Sequence, residues 1–123
     1  MQNNLPIIHI MDVVDPWFTY IRDKIKPVEG RRMSSKWLKI KIGDKILMQN
    51  KVTNQYFMVD VIDIKYFPAN VYNDPLTSYL LGVGINNALP GVDNLYDARN
   101  IYLQWSTENE IKTQGFMGIY IKF

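Results

Sequence analysis

Apolar and polar positions along this chain switch between a period of two and a period near four, and each switch marks an element boundary. From residue 7 to 14, Ile8 and Ile10 alternate with His9 and Met11 up to Asp12, which predicts a first strand. Asp15-Pro16 then opens a helix, the aspartate to cap free amides and the proline at the first helical position. Trp17, Ile21 and Ile25 follow at a spacing of four as one apolar stripe. Pro27 is expected to stop that helix and send the chain on extended through Arg32.

The stretch 33–36 reads as a loop, and residues 37–42 lead into a Gly43-Asp44 turn before a strand over 45–49. After a turn at 50–54, residues 55–67 form the longest strand candidate. Its apolar phase slips in the middle, from Phe57, Val59 and Val61 to Ile62, Ile64 and Tyr66, which predicts a bulge or a strong bend. Asp74-Pro75 repeats the cap-plus-proline device, with Leu76, Tyr79, Leu80 and Val83 as the helical stripe that ends near Gly82 and Gly84. Leu89-Pro90-Gly91 fits a type II turn with Gly91 at positive φ. Asp93 is expected to cap a third helix carrying Leu95, Ala98, Tyr102 and Trp105 on one face, and residues 106–113 are a short helix or a loop. The closing segment alternates Met117, Ile119, Ile121 and Phe123 with Phe116, Gly118 and Tyr120, so both faces carry bulk and the strand is expected inside the sheet. Short strands interrupted by about three helices argue for one α+β domain over residues 1–123 whose sheet curls into a small barrel.

Composition narrows the chemistry. The 123 residues suit one core, and no apolar run approaches the roughly 20 residues of a membrane helix. Residues 1–5 lack a signal-peptide pattern, so a cytoplasmic location is expected, with no membrane partner. The absence of cysteine removes disulfides, thiolate metal sites and a cysteine nucleophile together. A histidine triad or a zinc site would rest on His9 alone, which reads as a strand position, so neither metal nor cofactor is expected. Net charge is only +2 but unevenly spread: residues 22–45 carry nine bases against three acids, whereas residues 60–123 carry four against seven. A basic pole suited to phosphate follows if these segments fold onto different faces; the alternative is an ordinary lysine-rich surface.

The strongest functional lead is the run from Lys24 to Arg32. In an extended strand side chains two apart share a face, so Glu29 and Arg31 point one way and Val28 and Gly30 the other. With Lys26 close by, this is either a ligand-reading constellation or an ion-pair cluster sealing a barrel rim.

The chain resembles the ASCH domain of the PUA-like superfamily over nearly its whole length. The resemblance is carried by Lys26-x-x-Glu29-Gly30-Arg31 after the first helix, Ile42-Gly43-Asp44 before a strand, Tyr66 ending the long strand, Leu89-Pro90-Gly91 opening a helix, Tyr102 within it, and Gly115 before the closing strand. It implies a PUA-like β-barrel flanked by helices, with a cleft beside the barrel that is lined by the Lys-x-x-Glu-x-Arg strand. PUA-like domains typically bind RNA or read modified bases. One ASCH branch is similar to amidohydrolases that deacylate acetylated cytidine, through a lysine, a threonine three residues later and an arginine two further on. Here Lys26 and Arg31 match, but Glu29 stands at the threonine position. The acid that the branch draws from the segment before its last helix has no counterpart in Leu89-Pro90-Gly91-Val92.

The reading that follows is an RNA- or nucleotide-binding module, whose partner is an RNA, nucleotide or nucleoside, with a base and a phosphate held in the cleft. Glu29 would accept from base N–H groups, Arg31 would bind an oxygen bidentately, and Lys26 would add positive charge. Ser34, Ser35 and Lys36 would line the cleft from the following loop, and Tyr66 would stack on a base. Trp37 is a stacking candidate whose packing role is favoured, while Tyr102 and Trp105 are expected in the core. The alternative function is a small hydrolase of acylated cytidine, or a ribonuclease, with Lys26, Glu29 and Arg31 as its catalytic groups.

Overall fold

The computed structural model describes Leu5 and residues 7–123. Its strands are β1 (Ile8–Asp12), β2 (Val28–Arg32), β3 (Lys45–Asn50), β4 (Gln55–Phe67) and β5 (Phe116–Lys122). Its helices are α1 (Trp17–Arg22), α2 (Pro75–Val83), α3 (Ile85–Ala88), α4 (Leu95–Tyr102) and α5 (Glu108–Gln114), with a 3-10 turn at Trp37–Lys39. The five strands form one curled sheet in the order β1-β3-β4-β5-β2, a half-barrel with helices against it. The fold is therefore α+β as expected, with five helices rather than about three, because α3 and α5 are short segments of weak periodicity. No helix among the described residues is long and apolar enough to cross a membrane.

β4 spans the predicted residues, and its ladder with β5 shifts register between Val61 and Asp63, where the apolar phase slips. β5 lies between β4 and β2 and buries both faces. On one side Met117, Ile119 and Ile121 join Met11, Phe18, Ile46, Met48, Val59 and Val61 in the barrel core. On the other side Phe116 joins Val28, Phe67, Leu76, Tyr79, Leu80 and Tyr102 beneath the helices.

Three expected boundaries move. α1 ends at Arg22 because Lys24 takes a left-handed φ of 64°, so the helix stops before Pro27, and Ile25 leaves the stripe for solvent. The cap of α1 is Pro16, and Asp15 contributes from one residue earlier by accepting from the Thr19 N–H at 3.0 Å and its hydroxyl at 2.6 Å. Asn94, not Asp93, caps α4 by accepting from the Asp97 N–H. Both side chains are good caps, and the one whose backbone is extended at the helix entrance takes the role. By contrast Asp74 caps α2 as expected, and Val92 donates to the Leu89 carbonyl across the turn that sets Gly91 at φ 89°. Residues 106–113 resolve into the Thr107 cap and most of α5, whose reciprocal bonds between Thr107 and Glu110 complete a capping box. His9 is structural: its Nε2 lies 2.8 Å from the Asp44 carboxylate, which also accepts from the Lys41 N–H.

Candidate functional site

Among the described residues the sheet does not close. β1 and β2 are its two edges, and a cavity of about 170 Å³ opens at the seam between them. Asp12, Val13 and Val14 line it from the end of β1, and residues 29–32 line it from β2. Arg31 bridges the seam, donating from Nη2 to the Asp12 carbonyl at 2.9 Å.

The β2–β5 register fixes how the floor is built. Glu29 and Arg31 pair with Ile119 and Met117, so both point to the barrel face, while Val28 and Gly30 point to the helices. Glu29 is 6% exposed and Lys26 only 2%. Arg31 Nη2 lies 3.4 Å from Glu29 Oε2, and Lys26 Nζ lies 3.6 Å from Oε1. Glu29 Oε1 also accepts from the Gly30 N–H at 3.1 Å. Burial alone would raise the Glu29 carboxyl, but the Lys26 ammonium, the Arg31 guanidinium and the Gly30 amide outweigh it and hold the group below the usual carboxylate range. Burial pulls the Lys26 ammonium below its ordinary value, against the opposing pull of Glu29.

Lys26 is a brace behind the floor. Its ammonium donates to the Val28 carbonyl at 2.8 Å and to the Ala88 carbonyl at the end of α3, and its remaining side faces Glu29. Two of its N–H groups thus bond main-chain carbonyls and its charge is paired with Glu29 at 3.6 Å, so the ammonium is committed within the protein. As a chemical unit the floor offers an ionised, partly satisfied carboxylate beside a guanidinium. Such a carboxylate accepts hydrogen bonds well and takes up protons poorly.

The walls are aromatic. All three tryptophans of the chain, Trp17, Trp37 and Trp105, line the cavity together with Tyr102 and Phe116. The Arg31 guanidinium lies 5.1 Å from the Trp37 ring centre and the Lys36 ammonium 4.6 Å from it. Trp105, expected in the core, is 50% exposed because it lies beyond the end of α4 at the cavity wall. Tyr102 is buried as expected, with its hydroxyl 2.9 Å from that of Tyr79.

Of the sequence-predicted site residues, Glu29 and Arg31 line the cavity and Lys26 sits behind it. Ser34, Ser35 and Lys36 occupy the turn that leads to Trp37, outside the lining, although Lys36 reaches back over the tryptophan ring. Tyr66 shares the barrel face with Arg31, since both pair with Met117, but that strand separates them and Tyr66 lies outside the cavity. Sequence reasoning passed over Trp17 and Trp105 as site residues. The available signal lay at Trp105, which is followed by Ser106-Thr107 and a charged run, whereas Trp17 stands between Pro16 and Phe18 with no such mark. Among the described residues no cluster of acidic or histidine side chains is arranged to hold a metal ion.

No family model and no curated protein matches the sequence. Solved structures do. The hypothetical protein PH0355 superposes with a TM-score of 0.81 at 26% identity, over 94% of this chain and 98% of that one. Protein PF0455 from Pyrococcus furiosus gives a TM-score of 0.70 at 24% identity, over 94% and 96%. A mutant form of ZmASCH from Zymomonas mobilis gives a TM-score of 0.60 at 12% identity, over 97% of this chain and 70% of that one. The chain therefore has the fold seen in ZmASCH, in line with the resemblance carried by its motifs.

Proposed function

We propose that this protein is an RNA- or nucleotide-binding module that holds one nucleobase in the seam cavity. The observation that carries the reading is the convergence of all three tryptophans on a cavity floored by the Glu29–Arg31 ion pair. A flat heterocycle suits such walls, because stacking on an aromatic side chain contributes about 1–3 kcal/mol per base. The floor suits its edge, with an acceptor at Glu29 and donors at Arg31. Lys36, exposed beside Trp37, is placed to meet a phosphate at the mouth. Lys26 acts through Glu29, holding the carboxylate ionised and in place.

The test is a fluorescence titration of the protein with nucleoside 5′-monophosphates and short single-stranded RNA at two salt concentrations. Binding should quench tryptophan emission, and affinity for the phosphate-bearing ligands should fall as salt rises. Arg31→Ala should weaken binding about tenfold while circular dichroism stays unchanged, as expected for loss of a charged contact of about 1–3 kcal/mol. Absence of quenching by every nucleotide and RNA would refute the proposal.

A further inference from the structure

The alternation of the β2–β5 ladder shows which main-chain groups of β2 face the cavity. Ile121 donates to the Pro27 carbonyl and Met33 donates to the Gly115 carbonyl, so residues 27, 29, 31 and 33 spend their main-chain groups on β5. Residues 28, 30 and 32 therefore turn theirs toward the open seam. Two bonds agree with this parity: Lys26 Nζ reaches the Val28 carbonyl, and Glu29 Oε1 reaches the Gly30 N–H. Beyond them, along the same edge, come the Gly30 carbonyl and the Arg32 N–H, and no side chain or neighbouring strand among the described residues bonds either one.

Both residues line the cavity, and main chain is what each has to offer there. Gly30 has no side chain, and a Cβ at this position would lie 2.6 Å from Tyr79 and 2.7 Å from Phe116 on the opposite face. The Arg32 guanidinium is drawn off to Glu110 at 2.7 Å. Read along the seam, the edge thus presents an acceptor (the Glu29 carboxylate), a second acceptor (the Gly30 carbonyl) and then a donor (the Arg32 N–H). An extended C=O and the N–H two residues on point the same way, which is how a strand edge captures an incoming partner.

The complementary ligand edge is donor, donor, acceptor. Taking one bond per group along the Watson–Crick edge, guanine alone among the four bases has it, in the order amino group, ring N1–H, O6. Cytosine presents donor, acceptor, acceptor, uracil presents acceptor, donor, acceptor, and adenine has a single donor beside an acceptor. Resting on the nucleobase reading above, we propose that the cavity selects guanine, with the 2-amino group on Glu29, N1–H on the Gly30 carbonyl and O6 on the Arg32 N–H. Two of the three contacts are main chain, so the specificity belongs to the unpaired edge of β2 more than to its side chains.

The full-length protein is titrated with guanosine, inosine, 1-methylguanosine, adenosine, cytidine and uridine, followed by tryptophan fluorescence and by the amide spectrum of 15N-labelled protein. Inosine lacks the 2-amino group, and 1-methylguanosine lacks the N1 proton, while both keep the stacking surface. Guanosine should bind tightest and shift the Arg32 amide proton downfield, and each analogue should bind about tenfold or more weakly, the loss of one hydrogen bond to a buried partner. Binding of adenosine, cytidine, uridine, inosine or 1-methylguanosine as tight as that of guanosine, or an Arg32 amide unmoved by guanosine, overturns the guanine assignment and leaves the nucleobase reading standing. If no nucleoside quenches the tryptophans, the guanine assignment falls, and the nucleobase reading is decided by the nucleotide and RNA titration above.

Discussion

Replacing Lys26 by methionine isolates the brace behind the cavity floor. The two side chains are similar in length and shape, so the barrel packing is kept and the ammonium alone is lost. Its removal leaves the Val28 and Ala88 carbonyls without their donor and Glu29 without the more deeply buried of its two counter-charges. An orphaned buried acceptor costs about 1–3 kcal/mol, and breaking one partner from a buried ion pair costs about 3–5 kcal/mol. These costs overlap, because Glu29 retains Arg31 and the Gly30 N–H. A loss of about 3–5 kcal/mol is expected, a large part of the roughly 5–15 kcal/mol that holds a domain folded. Urea unfolding at pH 7 of the wild type, Lys26→Met, Glu29→Gln and the double variant reads it directly. Because the stranded anion carries much of the penalty, the double variant should be more stable than the sum of the singles implies, by about 1 kcal/mol or more.

The pH dependence has a definite sign. In the wild type the folded Glu29 carboxyl lies below its unfolded value, so its stabilisation is complete above the unfolded carboxyl range and is lost as pH falls through the folded one. In Lys26→Met that stabilisation is diminished from the start, so the gap between the two proteins should narrow as pH falls from neutrality into acid. A Lys26→Met cost below about 1 kcal/mol, or strictly additive singles, would refute the account of Lys26 as the partner that makes a buried Glu29 anion tolerable.

Three further outcomes are expected. Gly30→Ala forces a Cβ to within 2.6 Å of Tyr79 and 2.7 Å of Phe116, and should cost about 1–3 kcal/mol or more by thermal melting. Tyr102→Phe removes the partner of the buried Tyr79 hydroxyl at 2.9 Å and should lower urea stability by about 1–3 kcal/mol, with no change in secondary structure. Thr107→Ala breaks the capping box of α5 and should cost about 0.5–2 kcal/mol in the same assay, because the Glu110 amide loses its side-chain acceptor.

The parts of the fold that could be read in advance are those where one local rule acts unopposed. The phase slip in β4 appears as a register shift, Asp74-Pro75 starts a helix, and Gly91 takes positive φ in its turn. Where two local candidates compete, the sequence does not rank them. Asp93 and Asn94 are both good caps, and the end of α1 depends on a left-handed Lys24 that no pattern announces. The site divides in the same way. Strand periodicity is enough to put Glu29 and Arg31 on one face, since the repeat of two is local geometry. Burial of Lys26 is not local: its acceptor at Ala88 lies 62 residues away.

The sequence by itself therefore determined the strands, the α+β class and the carboxylate–guanidinium pair, because these follow from side-chain period and backbone preference over a few residues. Only the tertiary structure decided that the sheet stays open between β1 and β2, that Trp17, Trp37 and Trp105 meet at the opening, and that the main chain of Gly30 and Arg32 faces it. Those features depend on which edges find partners and on how distant elements pack, and the free energy that settles them comes from long-range burial that no local pattern records.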